Sequence, residues 1–539
     1  MTDVFTSSVS RRTLFGGTLG LAGLAALSAC GGSGTGGGAT GTGSTAAQGP
    51  TALPTGTRKR GGTFRFAPQD ASSGDTMDPQ SATGVSWALA SAMFNGLMIL
   101  DHQMSPHLSL AEVFEPESKD QGSWTLRLKQ GVEFHNGKTV SAQDVIYSIR
   151  RILDPSSPGF TSGLMGSIDA KHGLTAVDKR TVKFKLNYPN SQLKQIFWQV
   201  PTAIVPTDFN PAKPVGTGPF KFKSNTPGQR FVGVRNENYF AGEVYLDQLE
   251  LVTFADAGTA RFNALATGQI DGINNVDPVL LSQLRSHSDL LTVISNTGAF
   301  EPIAMRCGKG DQFEDVRTRT AMKLIANRPA MISTAYSGLG AAGNDVGVWS
   351  QWDPGMAEVA AREQDIDRAK SLLKAAGTDG MTINLRIGEV VPGQLAAAQE
   401  LAQEAKKAGI TINIDKVADL SQFYSSKSYY TSQMKNDYLF TESLFLNMLY
   451  CWQKDSWSNN TSYNNPKLNS MFKAALAKPE AEYQTAMQDV GKLVYEDGPW
   501  MVWGRRNVID AMSTKFTGLV QDAGGMGFNQ FRWEEISLA

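Results

Sequence analysis

The chain has few cysteines, almost no net charge and, after Cys30, no second long apolar run. Three cysteines are too few for a disulfide framework, although they allow one special cysteine and one pair. Lysine and arginine number 50 and aspartate and glutamate 51, so the net charge of −1 gives no electrostatic support for a nucleic-acid partner. Because the later sequence lacks a long apolar run, we expect no membrane-spanning segment there.

The motifs of common enzyme classes are also missing. No serine lies in a G-x-S-x-G nucleophile elbow, and H-E-x-x-H, C-x-x-C and a phosphate loop ending in GK[ST] do not occur. The five histidines include one close pair, His102 and His107 beside Asp101, with no second ligand cluster. We therefore expect no metal site and no cofactor. A hydrolase would also need a nucleophile and a base that the motif search does not find.

The length and the hydrophobic patterns favour a large mixed α/β body. The 539 residues are about three to four times the usual length of one domain, and 41% hydrophobic with 19% charged residues is globular composition. Apolar and polar residues alternate over residues 63–66, 124–129 and 181–186, which predicts half-buried strands.

Helices are predicted between these strands. Ser141 is placed to cap a helix that ends before Pro155, and residues 366–376 form an apolar stripe with Gly377 as the expected C′ residue. A third helix over residues 394–408 leads into another alternating strand.

The first 57 residues have the features of an export signal and a tether. Arg11 and Arg12 precede an apolar run, which predicts a signal peptide over residues 1–29; the pair resembles a twin-arginine signal, although a general secretory signal can also carry two basic residues. Leu27-Ser28-Ala29-Cys30 resembles a bacterial lipobox. Residues 30–57, rich in Gly, Ser and Thr, are predicted to be a flexible tether. We expect a mature protein acylated at Cys30 and anchored to the membrane outside the cytoplasm.

Several motifs in one order resemble the peptide/nickel/opine-type (family 5) solute-binding proteins of ABC importers. The resemblance runs from about Gly61 to about Lys515. The central signature matches at residues 106–112, 124–128, 131–138 and 141–145, and further motifs match at residues 214–220, 268–271, 315–321, 369–377 and 496–500. The resemblance implies a non-catalytic receptor that captures a solute and passes it to the permease subunits of an importer.

The same resemblance implies the architecture. We expect an α/β, two-lobed periplasmic-binding-protein-like fold (type II, cluster C-like) with an extra subdomain in the first lobe. The first lobe would cover residues 58–296, with the extra subdomain at about 79–205. The second lobe would cover residues 297–504, and residues 505–539 would return to the first. The protein is expected to be a monomer that binds its ligand in the cleft between closing lobes.

We expect ligand contacts from both lobes. On the first lobe they come from one loop that matches the family's first-lobe contact region: Ser73, Gly74, Asp75, Thr76 and Asp78. On the second lobe they are aromatic and polar: Phe300, Trp349, Trp352, Phe440, Thr441, Glu442 and Ser443. Trp349 and Trp352 lie in loop-like sequence, where tryptophan supplies a large contact area, and the alternative is that they cap the second-lobe core near Pro354.

The sequence differs from the peptide-binding relatives at the positions that bind the cationic group of the ligand. Those relatives have a Trp followed three residues later by an Asp that pairs with the ligand's α-ammonium, and here Phe440 and Ser443 occupy these places. If Glu442 faces the cleft it can replace the Asp, but neighbouring side chains in a strand point to opposite faces. If Glu442 does not face the cleft, the cleft is neutral and suits a polar ligand such as a sugar. From the family resemblance we predict an oligopeptide or dipeptide receptor. The alternatives are a receptor for a sugar or another solute, or an extracellular enzyme or sensor on the same fold.

Three further expectations are structural. Cys307 and Cys451 form a disulfide or remain two buried thiols. His135 is expected to be buried in a hairpin whose turn is Asn136-Gly137. Gly216 and Gly218 are expected to allow tight backbone.

Overall fold

The computed structural model describes residues 58–69, 76–82, 86–156, 161–254, 258–424, 426–454, 456 and 458–539. The chain divides into units 1–45 and 46–539, and all described residues belong to the second unit. Within these residues, no helix combines the length and the apolar character needed to cross a bilayer. The signal peptide, Cys30, Ser73, Gly74 and Asp75 lie outside the described residues, so those expectations stay predictions.

The strands of the described residues are, in chain order, β1 Thr63–Ala67, β2 Met98–Leu100, β3 Pro106–Leu108, β4 Ala111–Pro116, β5 Ser123–Leu128, β6 Leu174–Ala176, β7 Thr181–Lys185, β8 Phe220–Thr226, β9 Arg230–Arg235, β10 Gln248–Val252, β11 Gly272–Ile273, β12 Leu290–Met305, β13 Gly340–Ala342, β14 Thr382–Gly388, β15 Thr411–Val417, β16 Met434–Asn436, β17 Trp500–Ser513, β18 Phe516–Thr517 and β19 Ser537–Leu538.

The α-helices of the same residues are α1 Ser86–Met93, α2 Ala142–Ile152, α3 Leu193–Ile196, α4 Thr259–Ala266, α5 Leu281–Ser286, α6 Val316–Ile325, α7 Arg328–Tyr336, α8 Ile366–Ala376, α9 Gln394–Lys407, α10 Leu420–Phe423, α11 Ser426–Thr431, α12 Leu444–Asn447, α13 Pro466–Leu476 and α14 Glu480–Asp497. A π-helical turn, Met448–Trp452, follows α12 directly.

One large mixed sheet runs through the molecule in the order β15-β14-β16-β12-β17-β11-β1-β10-β9-β8, and β13 also pairs with β17. The long antiparallel strands β12 and β17 join its two halves. At one end β17 pairs with β11, and at the other end β12 pairs with β16. The register between β12 and β17 shifts between Asn296 and Phe300 and again before Pro302. We call residues 296–302 and the facing residues 502–507 the crossing segment. Both predicted lobe boundaries lie there.

The predicted local elements are confirmed. The alternating stretches are β1, β5 and β7, and the three predicted helices are α2, α8 and α9. Ser141 and Asp144 form a capping box at the start of α2, as the Ser-x-x-acid spacing favours. Gly377 ends α8 with φ of 69°, a left-handed conformation that a residue without a Cβ adopts at little cost.

A separate four-stranded sheet, β4-β5-β7-β6, forms the centre of the region expected to be the extra subdomain. Its core packs Phe114 against Trp124 and Phe184 at ring separations of 5.6 Å. The same apolar cluster continues into α12, α13 and α14, and Ser191 donates a hydrogen bond to the Leu476 carbonyl at 2.9 Å. In this structure the subdomain therefore shares its core with the helices that precede β17.

The glycine turn at residues 214–220 contacts the hairpin that contains His135. A Cβ on Gly216 would lie 2.0 Å from the Met93 carbonyl oxygen, so the backbone contact requires glycine. The Gly216 N–H, which can only donate, lies 3.3 Å from Nδ1 of His135. The Gly218 carbonyl oxygen, which can only accept, lies 3.0 Å from Nε2 of the same ring. The ring is therefore the neutral tautomer with its proton on Nε2, and desolvation by burial lowers its pKa to about 4.

We expect the free energy of unfolding to fall as the pH drops from about 6.5 to about 4. The pKa of His135 is about 4 when folded and near 6.5 when unfolded, so between these values the unfolded chain binds a proton that the folded chain does not. Urea midpoints measured across this range should fall less steeply in His135→Asn than in the wild type. The exposed His172→Asn is the control and should keep the wild-type slope. An unchanged slope in His135→Asn would contradict the assignment.

Candidate ligand-binding site

A cavity opens where α1, residues 198–203, residues 440–442 and the C-terminal residues 524–534 meet. The empty space enclosed by its lining residues is about 960 Å³, including the part open to solvent. Six aromatic side chains contribute to its wall: Trp87, Phe94, Trp198, Tyr239, Phe440 and Phe531. Its charged lining residues are Glu442, Arg532 and Glu534.

Phe440 closes one side of the cavity. Its ring lies 5.4 Å from the ring of Trp87 on α1 and 5.6 Å from that of Tyr438. Phe440 follows β16, whereas Trp87 belongs to the helix after β1, so residues from both halves of the large sheet form this wall. The position leaves an aromatic surface for the apolar part of a ligand.

Thr441 also lines the cavity, but its polar groups are occupied by the protein backbone. Its hydroxyl donates to the Ala523 carbonyl and accepts from the Gly298 N–H at 2.8 Å. Its own N–H donates to the Gly524 carbonyl at 3.0 Å. The side chain therefore joins the crossing segment to the C-terminal tail.

Glu442 is one of the residues that line the cavity, and one of its carboxyl oxygens is unpaired. Its Oε2 is shielded from solvent and has no hydrogen-bond partner among the described residues. Desolvation raises the pKa of this carboxyl group to about 8. A shielded carboxylate without a partner is costly, and a cationic group of a ligand would supply the missing partner.

The expectation that residues 440–443 form a strand is wrong. Leu439 makes only an isolated bridge with Phe300, and the next residues are irregular up to α12. The alternation of side chains between two faces of a strand therefore does not apply to Glu442. Ser443 is the N-cap of α12: its hydroxyl accepts from the Leu446 N–H at 3.3 Å and donates to Gln195 at 2.5 Å. The cap turns Ser443 away from the cavity wall.

Phe300 does not face the cavity either, contrary to expectation. Its side chain is fully buried, with its ring 5.9 Å from those of both Trp349 and Trp500. Trp349 and Trp352 are only partly buried, and both rings lie near the guanidinium of Arg505. Neither indole lines the cavity described above.

Thr76 and Asp78, the described residues of the expected first-lobe loop, make contacts within the protein. Asp78 caps the short 3₁₀ helix Pro79–Ser81 and forms an ion pair with Arg151. The hydroxyl of Thr76 accepts a hydrogen bond from the Asp78 N–H at 3.1 Å. These two side chains are not among the lining residues.

The C-terminal contribution to the cavity was not predicted. Glu534 lines it, and desolvation together with the neighbouring Glu535 raises its pKa to about 7. Arg532 lies beside it and pairs with Asp522 and Glu535, at 3.5 Å and 3.3 Å. No local periodicity or motif in the sequence identifies these residues as part of a site, because only the long-range packing of the C-terminal residues brings them to the cavity.

The two described cysteines are free thiols, the second of the two alternatives. Cys451 is buried in the π-helical turn, and Cys307 is partly buried at the end of β12. Desolvation raises the pKa of Cys307 to about 11, so its thiol stays protonated at neutral pH.

In the described residues, no group of three or more His, Cys, Asp and Glu side chains is placed to hold a metal ion. His102 pairs with Asp522 at 2.9 Å and with Glu535 at 3.2 Å, and His107 pairs with Asp101 at 3.1 Å. The two histidines therefore have separate carboxylate partners.

Sequence comparison identifies related proteins over most of the chain. Residues 105–456 match the family described as "Bacterial extracellular solute-binding proteins, family 5 Middle". The oligopeptide-binding protein AppA of Bacillus subtilis is 28% identical over 313 residues, which are 55% of this chain and only 56% of AppA. A probable peptide ABC transporter periplasmic-binding protein, y4tO of Sinorhizobium fredii, is 26% identical over 82% of this chain and 89% of its own length.

Solved structures show the same fold. AgaA from A. tumefaciens R10, in complex with agropinic acid, superposes with a TM-score of 0.78 at 25% identity, covering 89% of this chain and 99% of AgaA. The structure of AppA from B. subtilis in complex with a nonapeptide gives a TM-score of 0.74 at 20% identity, covering 90% of this chain and 100% of AppA. The ligands in these two structures differ, so the likeness establishes a two-lobed binding fold and no single ligand.

Proposed function

Because the chain belongs to the bacterial extracellular solute-binding proteins of family 5, we propose that it captures a short peptide and delivers it to the permease of an ABC importer. Members of this family are solute receptors of importers and not enzymes. The names of the related proteins give different solutes, including oligopeptides, nickel and glutathione. The ligand class must therefore be argued from the cavity of this chain.

The unpaired Oε2 of Glu442 is the observation that carries the peptide proposal. A peptide has an α-ammonium group that can pair with this carboxylate, and a charge-assisted hydrogen bond is stronger than a neutral one. The aromatic wall of Trp87, Phe94 and Phe440 suits the apolar parts of peptide side chains. Glu442 would thus take the role that the Asp of peptide-binding relatives has at the position of Ser443.

A sugar is the second candidate, and the raised pKa of Glu442 is its support. A carboxyl group with a pKa of about 8 is mostly protonated at pH 7 in the empty cavity, and a protonated carboxyl can donate to a sugar hydroxyl. Aromatic rings can also stack on the apolar face of a sugar.

The two candidates can be separated by capture experiments. Purified protein is incubated with a casein hydrolysate, with the same hydrolysate after N-acetylation, and with maltotriose, and bound masses are read by native mass spectrometry. We expect capture from the untreated hydrolysate and a strong loss after acetylation, which removes the ammonium charge. Equal capture from both hydrolysates, or capture of maltotriose alone, would contradict the proposal.

We further propose that two lobes close on the peptide about the crossing segment. The register shifts near Phe300 interrupt the ladder between β12 and β17, the two strands that link the halves of the large sheet. A bulged ladder bends more easily than a regular one. The boundaries at residues 296/297 and 504/505 remain those given by the family resemblance.

For the anchor, we expect Cys30→Ala to move the protein from the membrane fraction to the soluble extracytoplasmic fraction. The lipobox-like Leu27-Ser28-Ala29-Cys30 provides the acceptor thiol, and without acyl chains little holds the protein to the bilayer. Fractionation followed by immunoblotting measures the change. Cys451→Ala, which removes a thiol from the folded body, is the control and should stay with the membrane. A Cys30→Ala protein that remains fully membrane-bound would exclude the lipid anchor.

A further inference from the structure

A short segment of the expected extra subdomain reaches both the cavity and the expected second lobe. Residues 190–199 follow β7 and contain α3. Trp198 and Gln199 of this segment line the cavity. At the other end of the segment, the Ser191 N–H bonds to the carbonyl of Leu476, the last residue of α13. The segment therefore joins the cavity to a helix from the range expected to form the second lobe.

A chain of four polar side chains crosses the same contact. The Ser443 hydroxyl donates to Oε1 of Gln195 at 2.5 Å. Nε2 of Gln195 donates to Oε1 of Gln192 at 2.6 Å, and Nε2 of Gln192 donates to Oε2 of Glu480 at 2.8 Å. All three bonds run in one direction, so each glutamine uses its carbonyl and its amide group at once. Gln192 is the N-cap of α3 and Gln195 lies three residues later, which places the two amides side by side.

Both ends of the chain are fixed to second-lobe helices. Ser443 caps α12, because its hydroxyl also accepts from the Leu446 N–H at 3.3 Å. Glu480 lies in the first turn of α14 and also accepts from Gln484 of that helix at 2.9 Å. Ser443 directly follows Glu442, which lines the cavity. The chain therefore ties the backbone beside Glu442 to the subdomain.

The chain is built of groups that can bond to water instead. Gln192 is 5% exposed, Gln195 is partly buried and Glu480 is exposed, so water reaches the chain from the Glu480 end. Exchanging such hydrogen bonds for bonds to water has a small net cost. Polar contacts of this kind are typical of two bodies that meet and part, whereas a large apolar contact resists separation.

We propose that Ser443, Gln195, Gln192 and Glu480 form a latch that closes when the second lobe meets the extra subdomain. The closed latch holds Ser443, and with it the wall residue Glu442, in place while the solute is bound. The inference rests on the proposed closure of the two lobes. It adds that the extra subdomain helps to hold the closed state, although it contributes only part of the cavity wall.

The latch can be tested by deuterium exchange, followed by mass spectrometry in the ligand-free protein. The N–H groups of Ser191 and Leu446 report on the two sides of the contact. Gln195→Leu removes the acceptor of Ser443 and the donor to Gln192. We expect it to speed exchange at both reporters about tenfold, while β5 and β7 keep their wild-type rates. Gln195→Glu keeps an acceptor for Ser443 but no donor for Gln192, so it should have a smaller effect, and it serves if Gln195→Leu does not fold.

The matched control is Gln484→Leu, which removes a hydrogen bond to the same Glu480 without touching the subdomain and should keep wild-type exchange at both reporters. Wild-type rates in both Gln195 variants, or equal acceleration throughout the subdomain, would overturn the latch.

Capture of solute provides the second arm. When native mass spectrometry shows peptide bound from the casein hydrolysate, exchange at Ser191 and Leu446 should slow in the wild type, because capture closes the latch. Unchanged exchange with peptide bound would mean a permanent contact and would overturn the latch. If no peptide is captured, the peptide function fails, and the comparison of Gln195→Leu with the wild type still decides the latch.

Discussion

Replacing Glu442 by glutamine should weaken the binding of a cationic peptide by about 1.5 to 3 kcal/mol, roughly 10- to 150-fold. Glutamine keeps nearly the same shape but cannot ionise when the cationic group of the ligand binds. Because Oε2 of Glu442 has no partner among the described residues, the ammonium of the ligand would be its main electrostatic contact. A neutral ligand such as maltotriose, if it binds at all, should be little affected by the same change.

The same carboxyl group predicts a proton linkage. Glu442 has a pKa of about 8 in the empty cavity and is largely protonated at pH 6.5. Pairing with an ammonium stabilises the ionised form and lowers the pKa, so binding at pH 6.5 should release close to one proton. The affinity for the peptide should therefore rise as the pH increases from 6.5 to about 7.5, a range in which most of the α-ammonium stays charged. Calorimetry in phosphate and in Tris, which differ in ionisation enthalpy, counts the released protons.

The control for both measurements is Glu389→Gln, the same substitution at an exposed residue that follows β14 and does not line the cavity. It should leave affinity and proton release as in the wild type. Unchanged affinity and unchanged proton release in Glu442→Gln would show that the cationic group binds elsewhere.

Replacing Asp345 by asparagine should lower the free energy of unfolding by about 3 to 5 kcal/mol. Asp345 is fully buried and joins two arginines, Arg328 at 2.7 Å and Arg362 at 3.0 Å, while also accepting from the Val502 N–H at 3.1 Å. The substitution leaves both guanidinium groups without their buried carboxylate. Asparagine is chosen because Asp345 has φ of 61°, a conformation that asparagine tolerates.

Urea unfolding of Asp345→Asn measures this effect, with Asp415→Asn as the matched control. Asp415 is exposed and pairs with Arg386 at 2.7 Å, so its loss should change the free energy of unfolding by no more than about 1 kcal/mol. A loss for Asp345→Asn as small as that of the control would mean that the two arginines find other partners or water.

The sequence predicted the elements whose signals are local. The capping box of Ser141 and Asp144, the left-handed Gly377 and the alternation over β1, β5 and β7 each depend on neighbours within a few residues. The order of several short motifs along the chain was sufficient to predict the family and its two-lobed fold, because each motif has a structural role. The close approach of Gly216 to Met93 is one such role.

Which residues line the cavity depends on the tertiary structure. Phe300 and Trp349 are both aromatic residues in the sequence, yet packing buries the first completely and leaves the second beside Arg505. Glu442 lines the cavity from irregular backbone just before α12, which Ser443 caps, and strand alternation does not predict this placement. The cavity also takes Glu534 from the far end of the chain. Burial and desolvation arise from contacts between residues hundreds of positions apart, so local sequence patterns determine the elements and the assembled fold determines the site.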